Sequence, residues 1–466
     1  MDETLKYASS QTPKPEIGSV TKRSLSDRYA AGKALRESIP RSSHSKWSPL
    51  TSRLDPITLL ETSNQERVPK LVPIRYSRML KSPFTFLRGA AIIMATDLAT
   101  TPTTDIRVQA CGDCHLLNFG GYGTPERNIV FDVNDFDETL SAPWEWDLKR
   151  LATSVVIAGR YIKVSAKNCE SAARATVRSY QEHIAKYAQM SALEVWYSRI
   201  DAEVLRDFTR HIPHHQSTDR YVNKLTLTSA QGLPKFTEVH GQWRIADKPP
   251  LMYHLPPDDV LEKEVESVYQ QYRQTLRDDL QVLLNRFHLV DIAFKVVGVG
   301  SVGTRCVVAL LMTDDNKPLF LQMKEARASV LEPYAGKSIY NNQGQRIVSG
   351  QRLMQAASDM FLGWTRSESG HDFYVRQLRD MKIAVDIEDL SASQLIGYSE
   401  LCGWALARSH ARSGDSVTIA GYLGKSDVFE QALADFASAY ANQNESDYQA
   451  LVAAVKSGRI KAVEEK

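Results

Sequence analysis

Helical periodicity dominates the first part of the chain. Between Asp55 and Ala99 apolar positions recur every three to four residues, and Ser82 followed by Pro83 sets a helix start, so 84–98 is predicted as a buried helix. Residues 105–110 read as a short strand, 111–124 as a polar loop containing glycines, 128–133 as a second strand entering an acidic loop, and 146–162 as helix again. From 170 to 290 the pattern is mostly helical, interrupted by a polar loop near residues 211–220 and by the Pro249–Pro250 pair. At Ile292 the period changes. Three β-rich runs, 292–297, 304–312 and 318–323, are separated by turn residues and predict consecutive antiparallel strands. A helix over 345–357, strands at 360–365 and 373–377, and helices from 391 onward complete the pattern, with no internal repeat. The fold class expected is α+β, with residues 1–48 as a flexible basic arm and 49–290 as a helical large lobe. Residues 291–380 form a small β lobe, and 381–466 return as helices to the large lobe.

Composition narrows the function classes. The 466 residues are 43% hydrophobic and 24% charged, and 57 Lys and Arg against 55 Asp and Glu leave a net charge of +2. That balance gives no global electrostatic reason to expect nucleic acid or an anionic membrane as partner. The apolar run 90–95 is far short of the ~20 residues that span a bilayer. The first twenty residues contain no secretory pattern, and five scattered cysteines suit a reducing compartment, so a cytoplasmic location is expected. Residues 1–48, rich in Ser, Lys, Arg and Pro, read as disordered, with a short helix over 26–38 as the one element the pattern allows.

Candidate chemistry sits in four places. In Cys111-Gly-Asp-Cys-His-Leu-Leu-Asn118 a carboxylate (Asp113) and a carboxamide (Asn118) lie five residues apart after a strand. Such a pair suits a hydroxyl-orienting base and a Mg²⁺ ligand, although Asx residues also cap turns. His115 between them is a phosphate or acceptor contact, or a hydrogen-bonded loop residue. In Asp132-Val-Asn-Asp-Phe-Asp-Glu138, four carboxylates within seven positions repel one another unless solvated or bound to a cation, and Asp135 and Asp137 are the metal candidates. Gly298-Val-Gly-Ser-Val-Gly303 is a G-x-G-x-x-G followed by a strand rather than a helix, the form of a phosphate-covering hairpin, with Gly298, Gly300, Ser301 and Gly303 as nucleotide contacts. Lys324 ends the third predicted strand, where a lysine either pairs with nucleotide phosphates or is an edge-strand charge. Together these are the parts of a phosphoryl-transfer site. The C-x-x-C of Cys111 and Cys114 lacks a second ligand pair for zinc, and His211, His214 and His215 read as exposed. Arg408, His410, Arg412 and Asp415 read as charge compensation at a helix end, and Trp144 and Trp146 as packing around the acidic loop.

The segments SPFTFLRG (82–89), CGDCHLLNFG (111–120), FDVNDFDETL (131–140), PWEWDLKRLA (143–152), KVVGVGSVGTR (295–305), GWALARSHARSGD (403–415) and AGYLG (420–424) resemble the bacterial family known as domain of unknown function 2252, over about residues 50–460. Its motifs are in turn similar to those of aminoglycoside and choline phosphotransferases, whose catalytic loop is H-G-D-x-H-x-x-N. The resemblance implies a protein-kinase-like, two-lobed fold, with Asp113 as base, Asn118 and Asp135 on Mg²⁺, and Asp147, twelve residues after Asp135, bracing the catalytic loop. Cys111 replaces the first histidine of that loop, and no helix glutamate for Lys324 is identified. The glycine loop and lysine follow the catalytic loop instead of preceding it, which implies a circular permutation. The function expected is ATP- and Mg²⁺-dependent phosphoryl transfer to an unidentified small-molecule or protein hydroxyl; nucleotidyl transfer fits the same parts. The alternatives are a catalytically silent nucleotide-binding module, or a metal-dependent hydrolase using Asp132, Asp135 and Asp137.

Overall fold

The β-rich runs after residue 288 pair into one antiparallel sheet. In the computed structural model, which describes residues 23–209, 235–239, 242–256, 259–378, 382–383 and 385–463, its strands are His288–Lys295, Cys306–Met312, Pro318–Ala326, Gly363–Arg366 and Asp372–Gln377. The first three form a meander, and 372–377 then lies between 318–326 and 363–366. The helix Gln343–Met354 separates the third strand from the fourth. A sixth strand, Met252–Tyr253, extends the sheet beside 288–295. One face buries Val307, Leu311, Leu321, Met323 and Val375 against Val268, Tyr272 and Leu280, from the helices Val260–Arg273 and Asp278–Leu284. These helices, expected in the large lobe, therefore belong with the sheet, and so does the hairpin Phe236–Val239/Gln242–Ile245, whose Ile245 packs on Val308, Leu310 and Phe320. Among the described residues, elements between 236 and 284 thus pack with the sheet.

The helical lobe is built around Trp144–Tyr161, Ala166–Tyr187, Ala392–Ser413 and Val428–Lys456. Its core joins Leu148, Val155, Val177, Leu406 and Phe436, with Trp144 stacked on Tyr180 at 5.6 Å between ring centroids. Two small strand pairings in this lobe set up the site. Arg107–Ala110 pairs with Leu140–Pro143, and Phe119–Gly123 pairs with Ile129–Val133. The 111–118 loop runs from the first pairing to the second, and the 134–139 loop runs back, so the two candidate loops lie side by side.

Three expectations are corrected locally. The predicted helix 84–98 is two helices, Pro83–Gly89 and Ala91–Leu98. Met79 packs so closely on Gly89 that a Cβ there would lie 2.5 Å from its Cγ. The 111–124 loop contains a strand, 119–123, whose glycines hid its pairing potential. Residues 23–48, expected as a flexible arm, are docked on the C-terminal helices. The helix Leu25–Ser38 lies on Ser416–Leu423, with Arg28 Nε 3.0 Å from Asp415 Oδ2. Arg36 donates to the carbonyls of Gly421 and Tyr422, and Arg41 to that of Leu423. Basic residues of this arm thus satisfy the orphan carbonyls at a helix C-terminus. The polar loop holding His211, His214 and His215 lies outside the described residues. No helix among the described residues is long and apolar enough to cross a membrane.

Candidate active site

The 111–118 loop is held from behind. Asp147, in the first turn of Trp144–Tyr161, accepts the Cys111 N–H at 2.6 Å and the Gly112 N–H at 2.9 Å, and His410 Nε2 lies 3.3 Å from the same carboxylate. Gly112 has φ +85°, and a Cβ there would sit 2.3 Å from the Glu138 carbonyl, so only glycine lets the loop lie this close to the acidic loop. Ser154 Oγ accepts the Leu116 N–H at 2.9 Å. The Cys111 thiol donates to the Asp135 carbonyl at 3.3 Å and so ties the two loops together. A hydrogen bond with Cys114 favours its thiolate, but burial and the nearby carboxylates push Cys111 up to about 11, and both thiols are free and buried.

Asp113 opens partly onto the cleft. Arg150 Nε donates to its Oδ1 at 2.7 Å, while Oδ2 faces His115 Nε2 at 3.9 Å. Burial raises the Asp113 pKa, against the lowering effect of Arg150. Asn118 Nδ2 donates to the Asp113 carbonyl at 2.5 Å, which leaves its amide oxygen for other partners. His115 is buried, and burial together with Arg88 and Arg150 drives its pKa well below the usual range, so it stays neutral.

The acidic loop divides its carboxylates. Asp132 is fully buried, with both oxygens 2.7 Å from Arg408 Nη2 and Oδ2 also accepting the Ala356 N–H. Arg408 is therefore a core ion pair rather than the dipole compensation expected of it. Among the described residues, Asp135 accepts only the Asp137 N–H, at 3.3 Å, and pairs with no cation. Asp137 is the meeting point of the lobes. It forms an ion pair with Lys324 and accepts hydrogen bonds from Ser301 Oγ at 3.0 Å and Tyr374 Oη at 2.9 Å. Burial opposes both charges, but their attraction wins, holding the Asp137 pKa low and the Lys324 pKa high.

Strand register carries Lys324 to this point. Cys306 lies opposite Lys324, and Lys324 opposite Tyr374, which puts these side chains in one row on the cleft side of the sheet. The pairing of Val307 with Phe294 sets Lys295 at the end of that row. Arg376 lies one step further along the face, its Nε 3.1 Å from Gln322 Oε1. The 298–303 loop bends over the row, with Gly298 and Gly303 at φ +64° and +91°. Its outer side is clamped by the large lobe: Arg78 donates to the Gly298 carbonyl, Arg67 to that of Val302 at 2.6 Å, and the Val68 N–H to that of Gly303 at 2.8 Å. Gly300 lies against the backbone of Arg88, where a Cβ would come within 3.0 Å of its carbonyl oxygen.

The structure therefore brings Asp113, Asn118, Asp135, Asp137, Ser301 and Lys324 to one cleft, with Asp147 behind the loop and His115 at its wall. Gly298 and Gly303 shape the loop from its ends, and Asp132 faces away into the core. The sequence reading overlooked Arg88, Arg150, Lys295, Tyr374 and Arg376. Arg150 had a legible signal: Asp147, Arg150 and Ser154 are spaced by three and four residues, which places them on one helix face. Among the described residues, no three or more His, Cys, Asp or Glu side chains are grouped to hold a metal ion. Asn118 and Asp135 nonetheless offer two hard oxygen donors, the small protein contribution typical of Mg²⁺ sites that are completed by phosphates.

The chain belongs to the family described as uncharacterized protein conserved in bacteria (DUF2252), whose model matches residues 67–454. No curated protein and no solved structure matches the chain.

Proposed function

We propose that this protein is an ATP- and Mg²⁺-dependent phosphotransferase of kinase-like, circularly permuted architecture, acting on a hydroxyl acceptor. The observation that carries this reading is the convergence on Asp137 of Ser301 from the glycine loop and Lys324 from the third strand, 164 and 187 residues away in sequence. A glycine-rich hairpin, a lysine on the third strand and a following helix are the phosphate-binding parts of a kinase small lobe. Asp113, whose Oδ1 is fixed by Arg150, keeps Oδ2 for the acceptor proton, and burial raises its basicity. Asn118 and Asp135 would hold Mg²⁺, which neutralises phosphate charge when bound. The hydrolase alternative is weakened because Asp132 is committed to Arg408.

A silent nucleotide-binding module is the second reading, favoured by one observation. The helix Gln343–Met354 brings no carboxylate to Lys324; its Arg346 donates to the carbonyls of Asp137, Thr139 and Arg327 instead. A thermal-shift titration with ATP and Mg²⁺ tests nucleotide binding. At about 100 times its Kd the ligand should add about 2.7 kcal/mol, and Asp135→Asn and Lys324→Ala should each abolish that gain. Asp113→Asn should keep the shift and lose nucleotide turnover. Absence of any nucleotide-dependent shift in the wild type rejects the reading, and a shift without turnover under any acceptor screen selects the silent module.

A further inference from the structure

Two opposite charges in the cleft face one another without pairing. Arg88 lies in the last turn of Pro83–Gly89, the helix whose backbone meets Gly300. Its guanidinium is part-buried and its Nε is sealed from solvent, yet no group among the described residues accepts a hydrogen bond from it. The neighbouring arginines are all engaged: Arg75 bonds the Gly89 carbonyl at 2.6 Å, Arg150 bonds Asp113, and Arg346 holds three carbonyls. The acids that feel the Arg88 charge are Asp113 and Asp135, the candidate base and the candidate metal ligand, and neither forms an ion pair with it. Desolvating a cation beside carboxylates without joining them is costly, unless a ligand enters between them. A group that satisfies a lone guanidinium on one side and a metal-binding carboxylate on the other is a phosphoryl group carrying a cation.

We propose that Arg88 is a catalytic residue of this site, contacting the phosphoryl group in transit between nucleotide and acceptor; this rests on the phosphotransferase reading. In the step it serves, the acceptor hydroxyl gives its proton to Asp113 and its oxygen bonds to the γ-phosphorus. The bond from that phosphorus to the β–γ bridging oxygen breaks, and the nucleoside diphosphate leaves with the electron pair. Charge spread over the three equatorial oxygens is what a planar, multiply donating guanidinium neutralises. The glycine at 300 lets the phosphate-covering loop settle on the Arg88 backbone, which sets the loop and the arginine side by side.

The test measures binding rather than turnover, with ADP, Mg²⁺ and fluoroaluminate as a mimic of the transferring phosphoryl group. Wild type should bind ADP with fluoroaluminate at least about 100-fold more tightly than ADP alone. Arg88→Met, which keeps the apolar stem, should lose that gain while binding ADP as wild type does. Arg88→Lys, which keeps the charge and loses the fork, should retain only part of the gain; it decides the matter if Arg88→Met does not fold. A full gain in either variant overturns the assignment while leaving the phosphotransferase reading in place. So does a wild type that binds ADP but gains nothing from fluoroaluminate. A wild type that binds neither ADP nor ATP overturns the underlying reading itself.

Discussion

The layer beneath the two candidate loops and the surface of the cleft above them handle charge in opposite ways. Beneath, charges are matched within the chain: Asp132 with Arg408, Asp147 with two backbone N–H groups and His410, and Arg346 with three carbonyls. In the cleft, Arg88, Asp135 and Lys295 form no ion pair among the described residues. Of the ion pairs there, Asp113 with Arg150 lies within the helical lobe, whereas Lys324 with Asp137 joins the two lobes. Matched charges below fix where the loops sit, and unmatched charges above are a standing cost that a ligand relieves. Variants in the two layers should therefore move stability and ligand binding in different proportions.

The largest expected effect is in the lower layer. Asp132→Ala strands Arg408 in the core and should cost about 3–5 kcal/mol in urea unfolding, whereas the apolar replacement of both partners, Asp132→Leu with Arg408→Met, should recover most of that loss. A single variant as stable as wild type would show that the pair does not anchor the loops. A smaller effect is read from pH. Burial lowers His44 to about 3 and His183 to about 4, while the unfolded chain takes up those protons near pH 6.5. Protonation therefore favours the unfolded state, and stability should fall below pH 6.5 by up to about 1.4 kcal/mol per pH unit for each histidine. His44→Gln should flatten that slope in unfolding measured at pH 6.5 and 5; an unchanged slope would mean that His44 is already charged in the fold. The smallest effect belongs to the cleft. Lys295→Met removes a cation disfavoured by burial and by Arg376, so the ligand-free protein should unfold no earlier than wild type while its ATP-dependent thermal shift shrinks. A destabilised variant with an intact shift would move Lys295 to the structural layer.

What the sequence disclosed follows from how local each signal is. The five strands after 288 and the helix between the third and fourth were legible because alternation and turn residues act over a few positions. Asp113, Asn118, Asp135 and the glycine loop were legible because spacing within a loop is part of their chemistry. Strand 119–123 was hidden by its glycines, and the order of residues 23–48 depends on carbonyls of a helix nearly 400 residues later, which no local pattern encodes. The partner of Lys324 is Asp137, on a loop of the other lobe that Ser329, Val330 and Arg346 hold in place, and no helix periodicity encodes that contact. Arg88 did leave a trace: it is the one charged residue between Phe84 and Ala95, an apolar stretch in which a cation needs a reason.

Because Asp137 precedes Tyr374 by 237 residues, synthesis on the ribosome separates them in time. At roughly 5–20 residues per second, about 10–50 s pass between the appearance of the acidic loop and completion of the strand that meets it. Arg408, the counter-ion of Asp132, emerges later still. The growing chain thus carries Asp132 and Asp137 for roughly 10–50 s without the groups that pair with them, and acquires a complete cleft only as its last helices arrive.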